Sequence, residues 1–411
     1  MQAAIGAAAS SSSGVKRMFE YFPEYYPWTL SIAASIGMGA EISEIDEACR
    51  GLRGLPGKVS TAVATEAWYQ SWSRLAQKLD HLAEQDHARG YRLSAGSKSL
   101  RAANYYLFAE RNVPWKDPRR LLTYRKALAA FEHGVKLRGD EAERVQVPYQ
   151  GAQLAGWLHL PPGPGPFPCV LFYNGLDSIK EMHYLLYAAI AARRGLAVLF
   201  VDQEGTGEAI RLHKLPKRHD TEVSARLFVD FLQSHRRIDC DRIGIAGISA
   251  GGYCAPRAAA FEKRLKCVAC LGAFFNMDSH REMFLGRTSA GLAEGLSDLM
   301  DQLMTVTGAA SPEEAVEIFS RRDLSTSIGE LECPLLVVHG ENDRQVPLWH
   351  AERTVARAVR SPRAELKAFT LSEGSAEHCG IDVASMQGEY LFDWLAATLG
   401  ASSHARARQQ G

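Results

Sequence analysis

The sequence predicts an α/β protein: a mostly parallel, doubly wound sheet preceded by an all-helical unit. Two observations favour this fold class. Apolar residues recur at spacings of three and four through much of the first 140 residues, which is the period of an amphipathic helix. After Asp140, short apolar runs alternate with stretches of helical length, which is typical of strands that helices bury on both faces.

Residues 1–140 are predicted to form a helical N-terminal domain. Further helices are expected in SKSLRAANYYLFAER and PRRLLTYRKALAAFEHGVKL, with Pro114 and Pro118 as breaks between them. The stretch TEAWYQSWSRLAQKLDHLAEQ carries an amphipathic stripe made of Trp68, Trp72, Leu75, Leu79 and Leu82.

Residues 141–400 are predicted to form a catalytic domain. It begins with a hairpin about Gln150-Gly151, and its later strands are expected in CVLFYN, LAVLFVD, DRIGIAG, LKCVACL, CPLLVVHG and AELKAFTL. A helical cap insertion is expected at 274–326, and its Leu and Met stripe either packs as core or lines a substrate cavity. Residues 401–411 are expected to form a disordered tail.

The composition excludes several classes of protein. Lys plus Arg and Asp plus Glu each number 47, and this neutral balance argues against nucleic acid as a partner. The first residues have no cationic region ahead of an apolar one, so we expect no secretory signal, and the sequence has no apolar run of membrane length. We therefore expect a cytoplasmic protein without membrane association. The 8 cysteines are scattered, which fits buried free thiols. Cys267 and Cys270 fall in a strand, where their side chains point to opposite faces.

The stretch GIAGISAGG contains Gly247-Ile248-Ser249-Ala250-Gly251, a match to G-x-S-x-G. It follows the strand DRIGIAG and opens an alanine-rich helix, which we expect to begin at Ser249. This setting of strand, turn and helix exposes a serine hydroxyl at the top of a sheet. Ser249 is therefore a candidate nucleophile, and the alternative is a serine N-cap on an ordinary turn.

Acid and base candidates follow the serine in the chain order that this motif predicts. Asp343, in VVHGENDRQVP, comes just after a strand and is expected to orient an imidazole. Glu341 is the competing acid. His378, in SEGSAEHCGID, lies in a loop before the last helix and is the candidate general base. His339 is expected in or at the end of a strand and His350 at the beginning of a helix, and either fits a structural role.

Acyl transfer also needs hydrogen-bond donors for an oxyanion. The backbone N–H of Leu176, beside Gly175 in FYNGLDSIKE, and the N–H of Ala250 are the candidate donors. No cofactor or metal is expected. The segment Gly205-x-Gly207 in VDQEGTGEA lacks the third glycine of a dinucleotide fingerprint and the Gly-Lys-Ser/Thr of a phosphate loop, so it predicts a tight turn.

Taken together, residues 140–400 resemble the α/β-hydrolase superfamily. The stretches RAANYYLFAE, NGLDSIKEM, VDQEGTGEA and HGENDRQVP narrow the likeness to one group. That group includes 2,6-dihydroxypseudooxynicotine hydrolase, the fungal hydrolases that shorten polyketides in pigment biosynthesis, and the fermentation-respiration switch protein. NGLDSIKEM and VDQEGTGEA are most similar to the fungal pigment hydrolases.

The resemblance implies an N-terminal domain that closes over the catalytic residues, a homodimer, and hydrolysis of a carbon–carbon bond beside a ketone. The implied substrate is an aromatic, polyketide-like acyl compound of secondary metabolism. An auxiliary glutamate near the start of the cap is also implied, and Glu282 is the candidate. Two alternatives stay open: an esterase, thioesterase or acyltransferase on a similar substrate, and a non-catalytic interaction protein on the same scaffold.

Overall fold

The computed structural model describes residues 18–278, residue 281 and residues 293–401. Their central feature is an 8-stranded sheet with the order β1-β2-β4-β3-β5-β6-β7-β8. The first two strands pair antiparallel with each other and β2 pairs antiparallel with β4, while all later neighbours are parallel. The predicted fold class is therefore confirmed. The strands are β1 (Ala142–Tyr149), β2 (Ala152–His159), β3 (Phe167–Tyr173), β4 (Ala197–Asp202), β5 (Ile238–Ile248), β6 (Val268–Leu271), β7 (Leu335–Gly340) and β8 (Ala364–Phe369).

Between residue 18 and the sheet lie five α-helices, and the predicted helical stretches correspond to the third, fourth and fifth of them. Local signals fix their ends: the Ser60 hydroxyl accepts from the N–H of Val63 at the start of the long third helix, and Gly139 closes the fifth with φ 71°. The helices are α1 (Tyr26–Gly37), α2 (Ile42–Cys49), α3 (Thr61–Ala88), α4 (Arg92–Arg111) and α5 (Pro118–Arg138).

Helices also follow or separate the strands of the sheet. They are α6 (Lys180–Ala192), α7 (Gly207–Arg211), α8 (Glu222–Ser234), α9 (Gly251–Phe261), α10 (Ala293–Thr307), α11 (Pro312–Ser320), α12 (Trp349–Arg357) and α13 (Ala384–Leu399). Two of these differ from the sequence expectation. The short α7 was not predicted, and α9 begins at Gly251 rather than at Ser249, because Ser249 has φ 55° and cannot take part in a right-handed helix.

The sheet separates two apolar clusters. The first joins one face of the sheet to the N-terminal helices, α6 and α13, and the second joins the other face to α8, α9 and the helices of the insertion. Cys267 belongs to the first cluster and Cys270 to the second, so the two thiols lie on opposite faces, as predicted. The N-terminal helices thus share a core with the sheet.

The predicted hairpin at Gln150-Gly151 is confirmed, since β1 and β2 pair in register from Ala142 with His159 to Tyr149 with Ala152. The described part of the insertion is helical, as expected, and the Ser311 hydroxyl caps α11 by accepting from the N–H of Glu314. In the part of the chain that the structure describes, none of the helices is both long and apolar enough to cross a membrane.

Candidate active site

Ser249 lies in a tight turn at the carboxyl end of β5. Its φ of 55° is a left-handed conformation that non-glycine residues seldom adopt. A Cβ on Gly247 would lie 2.1 Å from the Gly251 carbonyl oxygen, and one on Gly251 would lie 2.7 Å from the carbonyl oxygens of Tyr173 and Asn174. The two glycines of the motif are therefore required by close backbone contacts.

His378 and Asp343 reach this turn from two loops that follow β8 and β7. The Ser249 hydroxyl lies 2.9 Å from His378 Nε2, and His378 Nδ1 lies 2.7 Å from Asp343 Oδ2. Asp343 Oδ1 also accepts from the N–H of Gln345 and of Val346, each at 2.8 Å. The structure thus brings the three predicted residues into one hydrogen-bonded chain.

The remaining acid and histidine candidates take no part in this hydrogen-bonded chain, although His339 Nε2 lies 3.5 Å from Asp343 Oδ2. Glu341 is exposed, and its carboxylate accepts from the backbone N–H of Leu371. His339 is buried in β7 and bonds the Val346 carbonyl at 2.8 Å, while the Nδ1 of His350 accepts from the N–H of Phe275 at 3.0 Å. These contacts to backbone groups fit the structural role that the sequence left open for both histidines.

Electrostatics couple the acid to the base. Burial acts to lower the pKa of His378, but the adjacent Cys379 sulfur and the Asp343 carboxylate outweigh it, so this pKa lies well above its usual value. Burial acts to raise the pKa of Asp343, but the His378 imidazole outweighs burial, so the carboxyl pKa lies below its usual value. A carboxylate in this position stabilises the imidazolium that forms when the serine is deprotonated.

The oxyanion-donor candidates lie beside the serine. A Cβ on Gly175 would come within 3.2 Å of Ser249 Cβ, so a side chain there would crowd the serine. The N–H of Gly175 itself donates to the Ser178 hydroxyl at 2.8 Å. Within residues 18–278 and 293–401, neither the N–H of Leu176 nor that of Ala250 donates a hydrogen bond, which is the arrangement that a developing oxyanion requires.

The two stretches that carry most of the family resemblance hold each other in place. The backbone N–H of Asn174 donates to Gln203 Oε1 at 3.1 Å, and Gln203 Nε2 returns a bond of 2.8 Å to the Asn174 carbonyl. Behind them, the buried Lys180 ammonium contacts the carboxylates of Asp202 and Glu208 at 2.7 and 2.5 Å. The middle of VDQEGTGEA, between β4 and α7, is therefore a turn, as predicted, and the stretch supports the Gly175-Leu176 loop.

The cap and the N-terminal helices both contact this loop. Trp115 Nε1 donates to Gln302 Oε1 of α10 at 2.8 Å, and Gln302 Nε2 lies 3.5 Å from the Leu176 carbonyl. The Arg111 guanidinium forms an ion pair with Asp177. Sequence reasoning missed these contacts, as it missed the Lys180 cluster, because no local pattern links residues so far apart in the chain.

Glu282, the candidate auxiliary acid, lies outside the described residues. The neighbouring Asp278 accepts from the Asn276 side chain at 2.8 Å. Of the predicted Leu and Met stripe, Leu303 is fully buried, while Leu299 and Met300 are half-buried. Leu303 and Met300 thus pack with the apolar cluster on the α8 and α9 face of the sheet.

Two family models match the chain, each over more than half of its length. One, described as esterase FrsA-like, matches residues 61–283, and the other, described as the prolyl oligopeptidase family, matches residues 182–401. The first therefore extends from the N-terminal helices to the cap and includes Ser249. The second includes Ser249, Asp343 and His378.

Individual relatives are hydrolases as well. Alpha/beta hydrolase gkaG of Penicillium citrinum is 31% identical over 273 residues, which cover 63% of this chain and 62% of that protein. The 20-hydroxy-prefusarin hydrolase FUS2 of Gibberella moniliformis is 30% identical over 304 residues, with coverages of 66% and 73%. The crystal structure of the 2,6-dihydroxy-pseudo-oxynicotine hydrolase gives a TM-score of 0.73 at 25% identity, over 90% of this chain and 95% of that one.

The extent of these matches differs. The chain spans only 52% to 62% of the length of three fungal α/β hydrolases that it matches. It spans nearly the whole 2,6-dihydroxy-pseudo-oxynicotine hydrolase chain. The likeness to that structure therefore includes the N-terminal helices as well as the sheet.

Proposed function

The chain belongs to the FrsA-like esterase family of the α/β hydrolases, and we propose that Ser249, His378 and Asp343 act in it as nucleophile, general base and orienting acid. The observation that carries this proposal is the continuous hydrogen-bonded chain from Ser249 Oγ through the imidazole to the Asp343 carboxylate. A serine is a weak nucleophile until a base removes its proton, and this geometry supplies that base.

The proposed reaction begins with attack of Ser249 Oγ on a ketone carbon, while His378 Nε2 takes the hydroxyl proton. The N–H groups of Leu176 and Ala250 bind the resulting oxyanion. When the tetrahedral adduct collapses, the carbon–carbon bond breaks and its electron pair leaves with the carbon fragment. A flanking carbonyl or phenol must delocalise that pair, and His378 returns the proton to the fragment.

Water completes the cycle. His378 removes a proton from water, and the hydroxide attacks the acyl-serine ester. The acyl group of the substrate is released as a carboxylic acid, and Ser249 is regenerated. The products are a shortened acid and a protonated carbon fragment. Neither step needs an oxidant or a cofactor.

We propose an aromatic, polyketide-like acyl compound as the substrate. The chain is related to carbon–carbon bond hydrolases and to fungal polyketide hydrolases, and its likeness to the 2,6-dihydroxy-pseudo-oxynicotine hydrolase extends over nearly the whole of both chains. Trp115 and Gln302 are linked by a hydrogen bond, and Gln302 contacts the Gly175-Leu176 loop, which lies beside Ser249. Substrate cavities commonly form at such junctions.

A second candidate reaction is hydrolysis of an ester or thioester, which the family description as an esterase favours. The same serine would cleave these bonds more easily, because oxygen and sulfur leave without delocalisation of a carbanion. The two reactions differ in their products, so mass spectrometry separates them.

The test is incubation of the purified protein with a panel of acylated polyphenols and matched aryl esters and thioesters, with Ser249→Ala as the control. We expect a shortened acid and a protonated carbon fragment from the native protein and no turnover from Ser249→Ala. Full turnover by Ser249→Ala would refute the proposed mechanism, and cleavage of esters alone would leave the second candidate.

Labelling with a fluorophosphonate tests the remaining alternative, a non-catalytic interaction protein. We expect covalent labelling of the native protein at Ser249 and none of Ser249→Ala. A folded native protein that resists the label would favour the interaction protein. The homodimer that the family resemblance implies stays a prediction, which sedimentation equilibrium checks.

A further inference from the structure

Lys217 is a buried lysine beside the candidate oxyanion loop. Its side chain is 5% exposed, and its Nζ donates to the carbonyl oxygen of Gly175 at 3.0 Å. Its backbone N–H donates to the Val306 carbonyl of α10 at 2.7 Å. Among the described residues, the Gly175 carbonyl is the one acceptor within hydrogen-bond distance of this amine. Lys217 thus directs its charge at a single peptide group.

That peptide group is the one that presents the candidate oxyanion donor. The carbonyl of Gly175 and the N–H of Leu176 belong to the same planar peptide unit, and in a trans peptide they point in opposite directions. Since the carbonyl oxygen points to Lys217, the N–H of Leu176 points away from it. A cation at the oxygen draws electrons out of the amide, which makes the N–H at the other end a stronger donor.

The turn before Lys217 makes room for its side chain. Gly205 has φ 75°, and a Cβ there would lie 2.5 Å from Lys217 Cβ. The N–H of Gly205 donates to the Leu215 carbonyl at 2.9 Å, which holds the two segments together. Gly205, the first glycine of VDQEGTGEA, therefore leaves the space that the Lys217 side chain occupies.

Four charged or titratable groups on other segments interact electrostatically with the amine: Arg322 after α11, Cys254 in α9, Asp177 in the oxyanion loop and Glu204 in the turn after β4. Burial and the neighbouring Arg322 lower the pKa of Lys217 to about 7. Its charge therefore changes near neutral pH, where a surface lysine stays protonated.

We propose that Lys217 is a positioning residue that fixes and polarises the Gly175–Leu176 peptide, so that the N–H of Leu176 binds the oxyanion of the reaction. The inference rests on the proposed serine mechanism. It assigns no chemical step to Lys217, which neither contacts the substrate nor exchanges a proton with it. Its effect falls on the transition state, where the oxyanion exists, and little on substrate binding.

The test compares Lys217→Met with Lys266→Met, the same change at an exposed lysine, and with the native protein. We expect Lys217→Met to lower kcat by roughly 10- to 100-fold while KM changes less than about twofold, because an oxyanion donor is weakened and not deleted. Its melting temperature should not fall, since the change removes a buried charge. A lysine with a merely structural role would lower the melting temperature instead.

The pH profile supplies the second readout. Native kcat should fall on the alkaline side as Lys217 loses its charge, and this decline should be absent from Lys217→Met. The proposal would be overturned if folded Lys217→Met had the same kcat as the native protein and the same alkaline decline. If Lys217→Met does not fold, the pH profile of native kcat is the remaining test. A native profile without an alkaline decline would then overturn the proposal.

Ser249→Ala, assayed in parallel, separates this proposal from the one on which it rests. If Ser249→Ala keeps full turnover, the serine mechanism fails and the role of Lys217 falls with it. If Ser249→Ala is inactive while Lys217→Met behaves like the native protein, only the role of Lys217 is refuted.

Discussion

His378 Nε2 lies 2.9 Å from the hydroxyl of Ser249, although 129 positions separate the two residues in the chain. The contact forms because the loops after β5 and β8 leave the same edge of a parallel sheet, where the carboxyl ends of its strands meet. This relationship makes the site testable residue by residue.

The acid can be tested by a pair of matched changes. Asp343→Asn should keep the fold but lower kcat by roughly four orders of magnitude, because the amide favours the wrong imidazole tautomer and cannot stabilise the imidazolium. Glu341→Gln, at the exposed neighbouring acid, should retain activity close to native. Steady-state kinetics of both variants check this, and the reverse ranking would make Glu341 the acid.

The pH dependence follows from the raised pKa of His378. The base works only when neutral, so activity is present above this pKa and is lost as the pH falls through it. We therefore expect the acid limb of the kcat/KM profile to have its midpoint above 6.5, the ordinary value for histidine. Residual activity of Asp343→Asn should show a lower midpoint, since the carboxylate that favours the imidazolium is gone. An acid limb at or below the ordinary histidine value would contradict the assignment.

The contact between the N-terminal helices and the cap can be tested at Trp115. Trp115→Phe keeps the aromatic ring that the Arg120 guanidinium covers at 4.0 Å but removes the N–H that donates to Gln302. We expect KM for bulky acyl substrates to rise by up to about tenfold, the equivalent of one hydrogen bond, with little change for small esters.

A matched control for Trp115 exists beside the edge strand β8. Trp394→Phe removes an indole N–H that donates to Glu365 Oε1 of β8 at 3.2 Å, away from the proposed substrate site. Its kinetics should equal those of the native protein. Equal KM values for Trp115→Phe and the native protein on bulky substrates would show that this contact does not shape the site.

Gly205 can be tested against a glycine of similar conformation. Gly139 has φ 71° with no atom close enough to meet a Cβ, whereas Gly205 has φ 75° and faces Lys217. Gly139→Ala should therefore lower the free energy of unfolding by about 1 kcal/mol from backbone strain alone, and Gly205→Ala by about 2–3 kcal/mol. Urea unfolding measures both. Equal losses would mean that Lys217 does not depend on the space that Gly205 leaves.

Much of the fold was accessible from the sequence because its signals are local. The apolar runs of buried parallel strands, the hairpin at Gln150-Gly151 and the serine cap at Ser311 each occupy a few consecutive residues. The boundaries were less accessible: α7 was missed because it has only five residues, and the start of α9 was misplaced because the left-handed φ of Ser249 is imposed by the turn.

By itself, the sequence determined the order of helices and strands, the G-x-S-x-G turn and the loops that hold Asp343 and His378, because close approach demands glycine and burial demands apolar runs at fixed spacing. Only the tertiary structure placed Asp343, and not Glu341, against His378, joined Trp115 to Gln302 and directed Lys217 at the Gly175 carbonyl. Those choices depend on angstrom-scale distances between segments far apart in the chain, and no periodic pattern in the sequence encodes them.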